Sequence, residues 1–343
     1  MNNSITKESI SALILNQEDF SNRNNLVSYI KNNSDFLEKY DLCEFINNGS
    51  TGYIYKGYYK GIKKRQVALK FLIDKKKKEK KENNQEISIS EKLHNKNVVE
   101  IYDYYHKGNM NYMVLEFAKY DDILHFLRDK LKRNVLSETA LNYFGKQILD
   151  GLKYIHRCKI VHMDIKPGNI LIDENLNAKI TDFSVSCSYS KYQPKELVKF
   201  PLIGTSKYIA PEIISRSNLK VKEAEKIDVY SFGTTLYYLF YGEYPYNLKD
   251  IKEREYNIIL KKIQNEKLTF PENIKISNLF KDFLEKVLEK DYTKRFNINQ
   301  ALNHPWIKGS EIIFNEKEYI IFLQNFLIKL ITNNIEKFNE YIK

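Results

Sequence analysis

Asp164, Lys166 and Asn169 stand within six residues of one another in V-H-M-D-I-K-P-G-N-I-L, residues 161–171. An acid can orient a hydroxyl, a lysine can neutralise phosphate charge and an amide oxygen can bind a metal ion, so the three together suit phosphoryl transfer. Lys70, in V-A-L-K, lies in a run of apolar and β-forming residues (66–73) where an unpaired ammonium would be costly to bury. It requires an anion, and Glu86 lies sixteen residues on. A second acid, Asp182 in T-D-F-S, follows Asp164 by eighteen residues. The segment N-N-G-S-T-G-Y-I-Y-K-G, residues 47–57, has glycines at 49, 52 and 57 that permit a tight turn and bring backbone N–H groups close to a phosphate chain. Each feature also has a plainer reading: a satisfied polar turn, a surface lysine, an ordinary glycine hairpin.

The elements around these residues must hold them still. Ile160-Val161 and Ile170-Leu171 read as short buried strands, which fix the polar loop between them at both ends. Strand patterns cover 40–46, the stretch after Gly52, 66–73, 111–118 and 178–180. Helix patterns cover 85–93, 123–131 and 137–156; in the last, Ser137 can cap the start and Ala140, Leu141, Phe144, Ile148, Leu152 and Ile155 form one buried stripe. That stripe is core, and no chemistry is assigned to it. The lysine run 75–81 reads as a solvated loop, with nuclear localisation or an acidic partner behind it. Residues 1–39 mix apolar clusters with Asn and Ser breaks, as short helices docked on the main body would. Beyond 309, apolar residues from Tyr319 to Phe338 recur at helical spacing; the bland account is a helix packed on the body, the other a partner-binding or autoregulatory segment.

A chain of 343 residues with 43% hydrophobic and 13% aromatic composition can bury substantial cores in about two domains. The net charge of +11 arises from lysines spread along the whole chain, and no stacking or groove-reading motif accompanies it, so nucleic acid is not an expected partner. Three cysteines, Cys43, Cys158 and Cys187, lack metal-ligand spacing and leave one over in any disulfide scheme, which suggests a reducing compartment. The apolar run 10–15 follows no basic region and is far short of the ~20 residues of a membrane span. Residue 2 is Asn, so no myristoylation signal is read. The expectation is a cytoplasmic or nuclear protein without membrane attachment.

Taken together, the motifs resemble those of eukaryotic protein kinases of the serine/threonine type, over about residues 40–308. The resemblance implies an α+β, bilobal fold with a small β-rich N-lobe, including a helix that carries Glu86, and a larger, mainly helical C-lobe. It divides the chain into an N-terminal extension (1–39), the ATP-binding N-lobe (40–118), the catalytic and substrate-binding C-lobe (119–308) and a C-terminal helical extension (309–343). It implies ATP and Mg2+ as cofactors and Ser/Thr hydroxyls of proteins as acceptors. On this likeness Gly49 and Gly52 cover the phosphates, Lys70 contacts the α and β phosphates and Glu86 holds Lys70. Ile46, Ile54, Ala68 and Leu171 enclose the adenine, Glu116 and Ala118 offer it backbone groups, and Asp122 faces the ribose. Asn169 and Asp182 ligate magnesium, Asp164 accepts or orients the hydroxyl proton, and Lys166 marks serine/threonine rather than tyrosine specificity. Thr205 contacts Asp164 and Lys166, Asp228 holds the catalytic loop backbone, and Arg295 pairs with Glu212. A regulatory partner is expected at the Glu86 helix or the terminal extensions.

Several positions depart from the family pattern. Asn47 replaces the first glycine of the phosphate loop, and Gly168 removes an acid that favours basic-directed substrates. Ser184 replaces the glycine after Asp182-Phe183; if that residue needs a positive φ, serine there costs ~1–2 kcal/mol. Met163 stands where an arginine usually precedes the catalytic aspartate and pairs with an activation-loop phosphate, so activity is expected not to depend on such a phosphate. Ser90 replaces an apolar residue one turn after Glu86, which suggests that this helix rests outward until pushed in. The alternative to an active enzyme is a pseudokinase or nucleotide-binding scaffold, but all five of Lys70, Glu86, Asp164, Asn169 and Asp182 are present.

Overall fold

Alternation of buried and part-exposed residues along 52–59 is the signature of a strand with one face covered, and β2 (Gly52–Tyr59) shows it throughout. In the computed structural model, which describes residues 36–48, 52–61, 65–73, 77–107, 110–131 and 134–309, the chain divides into two compact units. The first comprises Met1–Lys92 and Val99–Ala118, the second Leu93–Val98 and Lys119–Lys343. Most of residues 1–39 and 309–343, for which helices are expected, lie outside the described residues.

In the first unit, a one-turn helix α1 (Phe36–Lys39) leads into β1 (Tyr40–Asn48), then β2, β3 (Arg65–Ile73), helix α2 (Lys77–Ser90), β4 (Ile101–Lys107) and β5 (Met110–Glu116). The strands form one antiparallel sheet in the order β1-β2-β3-β5-β4. Register places Ile54 opposite Lys70 and Ala68 opposite Leu115, so these four share a face. Leu72, Met113 and Ile101 pack there against Ile87 of α2. The lysine run read as a loop is partly helical, since α2 begins at Lys77. Lysine is a good helix former and no Gly or Pro interrupts 77–90, so local propensity extends the helix toward β3.

The second unit is built on two helices. Helix α3 (Ile123–His125) continues as a π-helical turn, Phe126–Leu131, within the span read as one helix, and α4 (Glu138–Arg157) follows with Ser137 as its cap. All six positions of the expected α4 stripe are buried. Two-residue strand β6 (Ile160–Val161), then β7 (Ile170–Ile172), β8 (Ala178–Ile180) and β9 (Cys187–Ser188) form the pairs β6-β9 and β7-β8. Beyond them come β10 (Leu197–Val198), α5 (Pro211–Ile214), β11 (Leu219–Lys220) and α6 (Lys226–Tyr241). Helix α6 is buried on every side and forms the core of this unit, as an all-round apolar helix must. Helices α7 (Tyr256–Asn265), α8 (Asn278–Val287), α9 (Ile298–Asn303) and α10 (Pro305–Lys308) complete it. Trp306 of α10 stacks on Phe280 of α8 with centroids 4.3 Å apart and lies 4.9 Å from Phe283. Among the described residues, no helix is long and apolar enough to cross a membrane.

Candidate active site

The loop 162–169 is suspended between β6 and β7, and its backbone is pinned from beneath by one carboxylate. Asp228, near the start of α6 and fully buried, accepts hydrogen bonds from the N–H groups of His162 (2.8 Å) and Met163 (2.9 Å) and meets Nε2 of His156 at 2.8 Å. Met163 has φ 71°, a left-handed conformation that costs a non-glycine residue ~1–2 kcal/mol, and the bond to its N–H helps hold it there. The twist delivers Asp164. Its Oδ1 accepts from the Thr205 N–H at 2.7 Å, while its Oδ2 meets Nζ of Lys166 at 2.8 Å and Nδ2 of Asn169 at 3.0 Å. Lys166 Nζ also donates to Thr205 Oγ1 at 2.7 Å. Asn169 spends its NH2 group on the Asp164 carbonyl (2.8 Å) and carboxylate, which turns its amide oxygen away as the atom suited to a cation. The acid, lysine and amide of the sequence motif are thus one connected constellation, joined to Thr205.

Gly204 is required for that junction. It has φ 100°, and a Cβ there would come within 2.5 Å of the Met163 carbonyl oxygen. Asp182 follows β8 and itself takes the left-handed conformation, φ 65°. Ser184 does not have positive φ, so the cost expected for serine there is not incurred; the unusual backbone lies two residues earlier, at a short polar residue that tolerates it. Phe183 is buried and its ring meets His162 edge-on at 5.0 Å.

In the first unit, Nζ of Lys70 lies 2.5 Å from Oε1 of Glu86, with both residues buried. The ammonium on β3 therefore has the anion it needs, supplied by α2. The closed pair corrects the expectation that Ser90 leaves this helix displaced: Ser90 is itself buried, and a small hydroxyl there does not keep Glu86 from Lys70. Ile54 and Ala68 lie on the Lys70 face, and Ile46 sits at a β-bulge between Phe45 and Asn47. Gly52 has no room for a side chain, because a Cβ would reach within 2.0 Å of the Phe71 carbonyl oxygen. Gly49 lies outside the described residues. The Glu116 N–H is taken by the Glu100 carbonyl at 2.8 Å. Beyond β5, the buried backbone N–H and C=O of Ala118 have no hydrogen bond to another described residue, which suits them to an external donor and acceptor such as adenine.

Asp122 and Leu171 form a β-bridge in the second unit. The Asp122 carboxylate caps α3, accepting from the N–H groups of Leu124 (2.8 Å) and His125 (3.0 Å) and meeting His125 Nδ1 at 2.6 Å. Two of these bonds fall on Oδ1 and one on Oδ2, so the group that resemblance assigns to a ribose also has a local capping role.

Several positioning residues escaped the sequence reading. Ser186, fully buried, donates to the His162 carbonyl at 3.0 Å; Thr235 Oγ1 donates to the Ile165 carbonyl at 3.3 Å; and Glu253 accepts from the Ser206 N–H at 3.0 Å. His156 ends the apolar stripe of α4, and a polar residue there was the one available signal that the stripe meets a buried acid. The bidentate pair of Arg295 with Glu212, at 2.7 and 2.9 Å, lies where expected. Burial, with the Asp228 charge behind it, pushes the Cys187 thiol up to about 11. All three cysteines are free.

The protein kinase domain profile matches residues 40–307. Human (Homo sapiens) death-associated protein kinase 2 is 32% identical over 286 residues, spanning 81% of this chain and 71% of that protein. The cell cycle serine/threonine-protein kinase CDC5/MSD2 of Saccharomyces cerevisiae is 28% identical over 225 residues, and the probable serine/threonine-protein kinase CCRP1 of Zea mays 30% over 228. Each of these two matches covers 66% of this chain, and the chain spans 30% of the yeast protein and 34% of the maize protein.

Proposed function

Because the chain belongs to the protein kinase family, we propose that it transfers the γ-phosphoryl group of ATP, with Mg2+, to serine and threonine hydroxyls of protein substrates. The observation that carries this reading is the tethering of Asp164 by Thr205, Lys166 and Asn169, which aims a buried carboxylate with all of its neighbours fixed. The donor set suits the cofactor: the Asn169 amide oxygen and the Asp182 carboxylate are hard oxygen ligands, Lys70 is a buried cation for phosphate, and Ala118 keeps backbone groups for adenine. Magnesium ATP supplies the transferable group and neutralises its charge.

In this reading the chain's residues position and stabilise. Lys70, held by Glu86, binds phosphate oxygens. Asp164 accepts a hydrogen bond from the substrate hydroxyl through a remaining lone pair and orients its oxygen for attack. Lys166, already beside Asp164, offsets negative charge that develops next to it. Thr205 fixes both from the segment that precedes α5, so the loop meeting the substrate also sets the acid.

The reading includes independence from an activation-loop phosphate. Met163 is buried and carries no charge to read one. The segment after Asp182 is held by other means: β9 pairs with β6, the Tyr189 N–H donates to the Lys159 carbonyl (2.9 Å), β10 pairs with β11, and the N–H groups of Val221 and Lys222 donate to the carbonyls of Glu196 and Pro194 (each 3.0 Å). The test is phosphoryl transfer from γ-labelled ATP to a generic protein acceptor, with phosphoamino-acid analysis, before and after phosphatase treatment of the enzyme. The expected result is labelled phosphoserine or phosphothreonine at rates within about twofold. Loss of activity after treatment refutes the phosphate-independence, and binding of ATP without transfer identifies a pseudokinase.

A further inference from the structure

Within the second unit, the end of α4, the segment after β9 and the turn before α6 enclose a cavity of about 510 Å³. Sites for small molecules have volumes of ~300–1,000 Å³. None of Asp164, Lys166, Asn169 and Asp182 lines it. Four cationic side chains do: Lys153 and Arg157 of α4, Lys159 in the turn before β6, and Lys222. One carboxylate, Glu225, stands against them.

The positive charges gather here without partners of their own. Lys153 and Arg157 are four residues apart on one face of α4, where like charges repel. Among the described residues, Lys153, Arg157 and Lys159 form no ion pair, Lys222 reaches only its neighbour Glu223, at 3.8 Å, and none of the four pairs with Glu225. A helix dipole favours a basic residue in the last turn, which accounts for Arg157. It does not account for Lys153 a turn earlier, or for Lys159 and Lys222 outside the helix. Lys159 is moreover held at φ 60°, a left-handed conformation that disfavours any residue with a Cβ. Positive charge concentrated in a cleft focuses its field and attracts anions.

We propose that this cavity binds a small organic molecule carrying two or more phosphate groups. Arg157 offers a planar donor fork that matches phosphate oxygens, and the three lysines offer point charges around it. The rings of Tyr189 and Tyr192 line the same cavity and give the organic part a surface to lie on. The wall also keeps a polar atom in reserve: His156 lines the cavity, and its Nδ1 is buried with no hydrogen-bond partner among the described residues.

The walls of the cavity are the fastenings of the catalytic loop. Nε2 of His156 meets Asp228, the carboxylate beneath the His162 and Met163 N–H groups. Tyr189 donates its hydroxyl to the His156 carbonyl at 3.1 Å and its N–H to the Lys159 carbonyl at 2.9 Å. The Lys222 N–H donates to the carbonyl of Pro194, another wall residue, at 3.0 Å. A polyanion held among the four cations therefore ties the segment after β9 to α4 and to the strand that leads into the loop of Asp164. This regulatory consequence rests on the phosphoryl-transfer reading above; the binding site does not.

The test is calorimetric titration of the full chain with inositol trisphosphate at about 150 mM salt, which screens loose surface contacts. The expected result is saturable one-to-one binding, weakened at least about tenfold in Lys153→Ala/Arg157→Ala. Lys261→Ala/Lys267→Ala removes the same charge from exposed positions outside the cavity and is expected to change binding by less than about twofold. Urea unfolding followed at the buried Trp306 checks that both variants fold. Absence of saturable binding, an unweakened first variant or equal weakening in both overturns the proposal. Tighter binding of inorganic pyrophosphate than of inositol trisphosphate overturns its organic part. In the unaltered chain, saturating inositol trisphosphate is expected to slow amide exchange across 187–194 several-fold and to leave α8 unchanged; unchanged exchange in 187–194 also overturns the site. Neither measurement needs catalysis. A transfer rate that responds to inositol trisphosphate in the wild type and not in Lys153→Ala/Arg157→Ala supports the coupling, and an unresponsive wild-type rate refutes the coupling alone.

Discussion

Asp228→Asn isolates the support beneath the catalytic loop. The native carboxylate takes three contacts, from His162 N, Met163 N and His156 Nε2, at a fully buried position. Asparagine keeps the shape but has one oxygen. With that oxygen on the side of His162 and His156, its NH2 group faces the Met163 N–H, donor against donor. A lost hydrogen bond to a charged group is worth ~1.5–3 kcal/mol, and the two remaining bonds lose their charge assistance, so the total is about 3 kcal/mol. For a domain of this size that lowers Tm by about 6–12 °C. The loss falls where Met163 is held at φ 71°, a strain of ~1–2 kcal/mol that the loop can relieve by turning Asp164 out of place. Turnover should drop about ten- to hundredfold on that account. The chain's one tryptophan, Trp306, is fully buried and reports urea unfolding directly. An Asp228→Asn variant within about 0.5 kcal/mol of wild type in that assay, with turnover intact, would refute the claim that this carboxylate holds the loop.

Arg295→Ala should cost ~3–5 kcal/mol in the same unfolding assay, because it strands Glu212 without its partner in the core. Exchanging the two residues should not rescue stability, since Arg295 also donates to the carbonyls of Lys226 (2.9 Å) and Glu289 (2.8 Å). Gly204→Ala should lower turnover at least tenfold while the urea midpoint changes little by comparison, as its Cβ would push on the Met163 carbonyl and on Oδ1 of Asp164, 3.4 Å away. Stability should fall between pH 10 and 12. Burial pushes the phenols of Tyr40, Tyr102, Tyr241 and Tyr246 up to about 12, so the unfolded chain releases these protons first and the folded state binds more. Each such phenol makes stability fall with pH within that window and contributes nothing below about pH 9. Urea midpoints at pH 9 and pH 11, with tyrosinate absorbance at about 295 nm rising further on unfolding at pH 11, check the sign.

Elements whose own residues decide their structure were legible in the sequence. The α4 stripe and its Ser137 cap are local patterns, and the loop 162–169 is framed by apolar pairs that can only be strands. What was not legible depends on partners far along the chain. The left-handed turn at Met163 exists because Asp228, sixty-five residues away, accepts its N–H, and nothing in H-M-D signals that. D-I-L-H also spells a capping residue, and the Asp122 carboxylate caps α3, a local role that the assignment to a ribose had left out. Ser184 was judged by its family position, but the strain had moved to Asp182. The second apolar cluster of the five-stranded sheet was hidden for another reason: Tyr53, Tyr55, Phe71 and Tyr112 alternate with residues of the Lys70 face, so the strands read as apolar runs rather than as two clusters.

The central claim is that Asp164, tethered by Thr205, Lys166 and Asn169, orients the hydroxyl that attacks ATP. Asp164→Asn keeps the size of the side chain and removes the charge that accepts and orients the proton. Single-turnover transfer from γ-labelled ATP, measured beside ATP affinity, should show a rate at least a hundredfold lower with affinity within a few-fold of wild type. Equal label incorporation by the wild type and the variant would contradict the account.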